Sequence, residues 1–292
     1  MDFLLKKDVK ALLKKYSLEP SKRLGQNFLI DKNILKKIIK AADLKPNDIV
    51  LEIGPGLGVL TFELAKKTKK VIAVEKDPKI SEVLKKNLKN YSNIDIVQGD
   101  ILKISNFKFL FPEQTQNSKF KTKKNYKVVA NLPYYITSPL IRKFLEAKNQ
   151  PKETVLMVQK EVAQRICAQP PKMNLLAVSV QFFAEPKIIS YVSKKSFWPR
   201  PKVDSAILKI IPHKKSLKKN INFQKRFFKI VKAGFSQPRK QLLNNLSKEL
   251  KLTKEEVKAW LLENKLNSKQ RAETLNLKDW INLAKKYSAF DY

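Results

Sequence analysis

The sequence predicts an α/β protein, a parallel sheet covered by helices on both faces, followed by a small all-α domain. Three observations predict it. Apolar runs rich in Val and Ile alternate with amphipathic stretches of about a dozen residues, the pattern of crossover units. A glycine-rich turn follows the first of these runs. Beyond residue 212 only helix-period patterns remain, with no strand-like alternation.

Taken in order, Asp31 is placed to cap a helix in "KNILKKIIKAADL", whose Ile34, Leu35, Ile38 and Ile39 share one face. "DIVLEI" (48–53) is a buried strand, "GPGLG" a turn and "VLTFELAKKT" a helix. "KVIAVE" is a second strand ending in Glu75, and Pro78 suits the first turn of the helix "KISEVLKKNLKN". "NIDIVQGD" is a third strand, ending in Asp100. The polar run "FPEQTQNSKFKTKKN" (111–125) is expected to be a surface loop or insertion. "YKVVAN" is a fourth strand, "SPLIRKFLEAK" a helix and "ETVLMVQ" a fifth strand. After "SAILKII" (205–211), "PHKKSLKKN" reads as a linker. The helices "FQKRFFKIVKAGF", "RKQLLNNLSKEL", "KEEVKAWLLENKL" and "LKDWINLAKKY" follow. The expected domains are therefore residues 1–212, built on the sheet, and 213–292, helical and basic.

Composition narrows the function. The 292 residues carry 61 Lys and Arg against 26 Asp and Glu, a net charge of +35. Such a surface attracts phosphate polymers over long range, and the helical domain shares the bias with 20 basic and seven acidic residues. A plain lysine coat competes with that reading, since only seven of the basic residues are Arg and specific phosphate and base contacts favour the Arg fork. One cysteine, Cys167, and one histidine, His213, leave no disulfide framework and no Cys/His zinc cluster, and they disfavour a His-dependent triad. No apolar run approaches the ~20 residues of a membrane span, and the first twenty residues read as a short amphipathic helix rather than a secretory leader. A cytoplasmic protein with no metal and no membrane association is expected.

In parallel sheets, ligands bind beyond the carboxyl ends of the strands. Gly54, Glu75, Asp100 and Asn131 all fall at those ends. In "EIGPGLG" the glycines at 54, 56 and 58 let the backbone approach a ligand at a helix start. The spacing is Gly-x-Gly-x-Gly, unlike that of dinucleotide folds. An ordinary tight turn would explain the glycines alone. With Glu75 able to accept ribose hydroxyls and Asp100 on the next strand, they make an adenosine pocket. "NLPYY" is sharper. The Asn131 oxygen and the carbonyls beside Pro133 can accept from an exocyclic amine, and Tyr134 offers a stacking face. A strand-ending turn with packed tyrosines is the competing explanation, and it leaves the Asn unexplained.

"SKRLGQNFL", "LEIGPGLGVLT", "VIAVEKD", "VQGDIL", "VVANLPYYITSPL", "MVQKEVAQRI", "FWPRPKVDSAIL" and "GFSQPRKQLLNNL" together resemble the ribosomal RNA adenine dimethyltransferases, most closely the bacterial small-subunit branch. The resemblance runs from about Ser21 to the final helices. It implies a Rossmann-like S-adenosylmethionine-dependent methyltransferase sheet, with S-adenosylmethionine as methyl donor and S-adenosylhomocysteine as product. It implies that Gln26, Asn27 and Leu29 help close the cofactor site over the Gly54, Gly56 and Gly58 turn. Glu75 would hold the ribose and Asp100 the adenine amine of the cofactor, with Asn131 bordering both cofactor and substrate. Asn131, Pro133, Tyr134 and Phe197 would be the catalytic set, Phe197 as a second aromatic wall, although a core Phe before a Pro-rich turn explains that residue as well.

The implied substrate is small-subunit ribosomal RNA, free or in a pre-small ribosomal subunit, methylated at two adjacent adenosines near its 3′ end by a monomeric enzyme. Arg200, Lys202, Arg239 and Lys240 are the expected RNA contacts, the two arginines on their scarcity. Asn174-Leu175 stands where relatives often carry Tyr-Gly, and the 111–125 run is longer than the family pattern. Three alternatives are weighed. A large-subunit (23S) adenine dimethyltransferase of the macrolide-resistance type would share fold and mechanism, but "PKVDSA" and "GFSQPRKQLLNNL" favour the small subunit. A non-catalytic ribosome-assembly factor would have no need of the intact Asn131 and glycine turn. A nicotinamide oxidoreductase is disfavoured by the glycine spacing.

Overall fold

The computed structural model describes residues 6–104, 126–213 and 220–287. The 111–125 run and the centre of the expected linker, 214–219, lie outside the described residues. The chain divides into two compact units, Met1–Ala163 with Lys187–Pro212 and Gln164–Pro186 with His213–Tyr292. The sequence places 164–186 with the sheet. In the structure the Phe182 ring stacks on Phe227, centroids 4.2 Å apart, and Phe183 stacks on Phe228 at 5.8 Å. This aromatic cluster groups the segment with the helices.

In the first unit, α1 (Lys6–Lys15) and β1 (Phe28–Leu29) precede α2 (Lys32–Ala41). Asp31 caps α2 by accepting from the Asn33 and Ile34 N–H groups. The crossover units follow: β2 (Ile49–Ile53), α3 (Val59–Ala65), β3 (Lys70–Glu75), α4 (Pro78–Leu88), β4 (Ile94–Gln98), β5 (Tyr126–Asn131), α5 (Thr137–Glu146), β6 (Glu153–Gln159) and α6 (Lys160–Ile166). β2 through β6 are parallel where they pair. Pro78 opens α4 behind an Asp77 cap, as its fixed φ favours. β4 ends at Gln98, two residues short of the expected Asp100, so Asp100 sits in the loop beyond the sheet.

The sequence offers five parallel strands, and among the described residues seven share one sheet. β7 (Ala184–Val192) and β9 (Ser205–Pro212) extend it to the order β4-β3-β2-β5-β6-β9-β7. β9 runs antiparallel to β6. β6 is buried almost throughout, so it needs a neighbour on each side, and "SAILKII" supplies one. β7 is buried only at its two ends and alternates exposed with half-buried positions between them, as an edge strand does. β8 (Phe197–Trp198) pairs with β1 in a separate two-stranded ribbon.

Strand order positions the site. The chain builds β2, β3 and β4 outward, then returns to place β5 on the other side of β2. That reversal opens a crevice at the carboxyl ends of β2 and β5. Gly58 closes the turn at φ +89°, and a Cβ there would lie 2.7 Å from Leu84 Cδ1, so only glycine lets α3 start against α4. At the opposite end of the strands, the buried Lys127 ammonium lies 3.0 Å from both Asp48 and Glu153 and donates to the Ala42 and Asp43 carbonyls. Such a charge is tolerated only because every donor finds an acceptor.

The second unit holds α7 (Leu175–Gln181), α8 (Ile221–Gly234), α9 (Leu242–Leu250), α10 (Lys254–Glu263) and α11 (Leu277–Lys286). Asn174 caps α7, accepting from the Ala177 N–H and donating to the Arg165 carbonyl, which gives this departure from the family pattern a local task. Asn245, buried in α9, donates to the Gly234 and Gln237 carbonyls and so satisfies the end of α8. At Gly234 a Cβ would overlap the fully buried Trp280 ring, with Cζ3 at 2.9 Å. Gly234→Ala gains up to ~1 kcal/mol of helix propensity but overpacks a rigid ring, a cost of about 1–3 kcal/mol. The overlap dominates, and chemical denaturation followed by helical circular dichroism should show an earlier midpoint. A later one would contradict the packing.

Candidate active site

β2, β3, β4 and β5 each end at one rim, and the loops beyond them border a cleft. Its floor is the turn from Gly54 to Gly56, both at positive φ. Glu75, Asp100, Pro133 and Tyr135 form its walls. Glu75 is buried, and each carboxylate oxygen accepts a backbone N–H: Oε2 from Gly56 at 3.2 Å and Oε1 from Asp77 at 2.9 Å. Burial raises its pKa and these two N–H groups oppose the rise. The carboxylate is thus held in one orientation, with acceptor capacity left for ligand hydroxyls.

Asp100 lies across the cleft from the turn. Burial alone would raise its pKa, but the Lys76 ammonium at 2.9 Å and the Leu102 N–H outweigh that and hold it below the usual value. Lys76 also lies 5.8 Å from the Tyr135 ring centroid. Neither Lys76 nor Tyr135 stands out as a site residue in the sequence. The register Glu75↔Gln98 is what brings the residue after Glu75 close to the one two places beyond β4.

Beside this cleft lies a smaller pocket lined by Asn27, Asn131, Pro133, Tyr134 and Phe197, among others. Asn131 Nδ2 donates to the Asn27 carbonyl at 3.2 Å. That bond fixes which end of the amide is which and leaves Oδ1 as an acceptor with no protein donor among the described residues. The Tyr134 hydroxyl and the fully buried Ser205 Oγ are 2.7 Å apart, which clamps the ring as a wall, and burial raises the Tyr134 pKa. Phe197 is 3% exposed, so it is a core residue whose edge also lines the pocket. Pro133 lines both the cleft and the pocket.

The remaining predicted residues divide. Gln26 lines the cleft, accepting from the Ser21 N–H and donating to Asp77, which ties the N-terminal segment to the cap of α4. Asn27 donates to the Gly25 carbonyl and lines the small pocket. The Leu29 side chain is buried in the core and Gly58 packs against Leu84, so neither lines the cleft. Arg200 and Lys202 flank a third, larger opening that also reaches Tyr134. Arg239 and Lys240 lie in the second unit, on an exposed turn ahead of α9, which starts three residues later than the sequence pattern suggests.

Glu52 escapes notice in the sequence because it sits in an apolar strand. It is 1% exposed, and burial pushes its pKa up to about 8, with Thr61 opposing the rise and Glu75 adding to it. This buried carboxyl, its pKa raised, lies two residues before the glycine turn.

The chain is 43% identical over 279 residues to a protein of Dehalococcoides mccartyi named ribosomal RNA small subunit methyltransferase A, covering 96% of this chain and 92% of the relative. A protein of the same name from Alkaliphilus metalliredigens is 40% identical over 283 residues, 96% of each. Among solved structures, a dimethyladenosine transferase from Plasmodium falciparum superposes with a TM-score of 0.71 at 31% identity, over 90% of this chain and 98% of that one. The 23S rRNA methyltransferase ErmE also reaches 0.71, at 26% identity, over 89% of this chain and 98% of that one. The family profile described as ribosomal RNA adenine dimethylase matches residues 18–289, and the chain belongs to that family.

Proposed function

We propose that this protein transfers methyl groups from S-adenosylmethionine to the exocyclic amines of two adjacent adenosines near the 3′ end of small-subunit ribosomal RNA. The observation that carries the reading is the shared Pro133 wall. On one side lies a cleft with a glycine floor and two carboxylates at strand ends, on the other a pocket with an amide acceptor and a clamped aromatic ring.

The cleft residues fit S-adenosylmethionine: Glu75 for the ribose hydroxyls, Asp100 for the adenine amine, and the Gly54–Gly56 backbone against the methionine portion. When bound, that cofactor supplies a methyl group already activated by its sulfonium. The chain's own residues supply orientation. An adenine amine is a poor nucleophile because its lone pair is delocalised into the ring. Asn131 Oδ1 and the carbonyls beside Pro133 accept its hydrogens, which favours a pyramidal nitrogen. Tyr134, clamped by Ser205, and the Phe197 edge hold the base plane. Positioning of this kind is enough to account for much of the rate, with no nucleophilic side chain required.

Small-subunit specificity is supported by the two relatives named for the small subunit, at 43% and 40% identity, against 26% for the 23S enzyme. Arg200, Lys202, Arg239 and Lys240 are the proposed phosphate contacts. The reading places the enzyme in the cytoplasm, acting as a monomer on a pre-small subunit. Among the described residues, no helix is long and apolar enough to cross a membrane, and no group of three or more His, Cys, Asp or Glu could hold a metal ion.

The test is to incubate the protein with labelled S-adenosylmethionine and either small or large ribosomal subunits from cells lacking both modifications, then map the product. Dimethyladenosine at the adjacent pair in the small subunit is expected. Label in the large subunit alone, or in neither, overturns the proposal. Glu75→Gln should weaken S-adenosylhomocysteine binding by about 10- to 100-fold, the loss of one charge-assisted hydrogen-bond site. Titration calorimetry reads this directly, and an unchanged affinity would remove Glu75 from the cofactor site.

A further inference from the structure

A large opening of the first unit lies between α1, the 17–27 segment and the loop 198–203. Its lining is strongly one-signed: Lys10, Lys14, Lys22, Arg200 and Lys202 against one acid, Glu19. None of these five cations has a carboxylate partner among the described residues. The groove also reaches Asn27 and Tyr134, which line the small pocket as well. Its inner wall is aromatic. Trp198, half-buried, packs beside the Val9, Leu12 and Leu13 face of α1, and the Lys10 ammonium lies 5.6 Å from its ring centroid. α1 is anchored through that apolar face, which leaves Lys10 and Lys14 on the accessible side.

A basic groove with an aromatic face, open to solvent at one end and to the target pocket at the other, has the composition of a single-strand nucleic-acid channel. We infer that this groove carries the single-stranded RNA flanking the target adenosine, with Lys10, Lys14 and Lys22 facing its phosphates and Trp198 stacking on one of its bases. The inference rests on the methyltransferase reading and adds the N-terminal helix and Trp198 to the expected contacts. Unpaired RNA is the occupant that fits, because its bases are free to stack on a side chain while its backbone follows the cations. Lys10 over the ring is then displaced toward a phosphate as a base takes its place.

Fluorescence gives the first test. Trp260 and Trp280 are buried in the second unit, so Trp198 is the partly exposed reporter. Titrating the full-length protein with a short adenosine-containing single-stranded RNA should quench tryptophan emission, and Trp198→Phe should abolish most of the quench while keeping most of the affinity. Trp198→Leu should lose about tenfold in affinity, the scale of one stacked base. The second test uses Lys10→Gln with Lys14→Gln, both exposed and outside the cofactor cleft. The slope of log affinity against log salt should shrink by about 1.4, or ~0.7 for each lost phosphate contact on a single strand. KM for small subunits should rise with kcat and S-adenosylhomocysteine affinity unchanged. An undiminished quench in Trp198→Phe, or an unchanged salt slope in the lysine variant, overturns the inference. Wild-type protein that methylates no ribosomal RNA overturns the underlying function instead, so the two failures are distinct.

Discussion

Asn131→Ala is expected to lower the single-turnover rate of methyl transfer by about 10²–10³-fold, the range seen when one preorganised polar group at a reacting centre is removed. The magnitude follows from what the residue does. Its Nδ2 is committed to the Asn27 carbonyl, so its Oδ1 is an acceptor oriented before substrate arrives. Alanine removes both the acceptor and the bond that orients it. The fold should tolerate the change, because the lost bond is partly exposed and worth only about 1 kcal/mol. Affinity for S-adenosylhomocysteine should fall much less than the rate, since the glycine floor, Glu75 and Asp100 remain. A variant that methylates small subunits at the wild-type rate would refute the assignment. A variant that loses cofactor and rate in equal measure would move Asn131 from the chemistry to the cofactor site.

Glu52→Gln should make the protein more resistant to unfolding at alkaline pH and leave it little changed in acid. The ordinary glutamate value is 4.5, and in the folded chain burial raises it to about 8. Between these values the folded state holds a proton that the unfolded state has released. The stability associated with that proton is fully present below about 4.5 and is lost as pH rises through 8. Glutamine has the same shape and does not titrate. The difference in stability between variant and wild type should therefore grow with pH across that window, by on the order of a few kcal/mol in total. Denaturant midpoints at pH 5, 7 and 9 measure it. Parallel pH courses for the two proteins would show that Glu52 is not held neutral.

Much of this was legible in the residues themselves. The alternation of strands and helices, the cap at Asp31, the helix-opening Pro78, the glycine at 54 and the polar residues at 75, 100 and 131 are local in sequence. Periodicity and turn chemistry act over a few residues, so these features follow from local physics.

Other features depend on residues far apart in the chain. The sequence determined the five parallel strands and placed Glu75 and Asn131 at their carboxyl ends. Tertiary structure alone decided that β9 would flank β6 in reverse, because only a completed sheet shows which strand edge is left to cover. It decided that 164–186 would join the helical unit, through the stack of Phe182 on Phe227. It set Lys76 against Asp100 by the register of two parallel strands, and it raised the Glu52 pKa by burying it on every side. It also turned Leu29 into the core and Asn131 toward Asn27. Each of these outcomes depends on long-range packing, and burial and pairing between distant segments leave no periodic trace in the sequence.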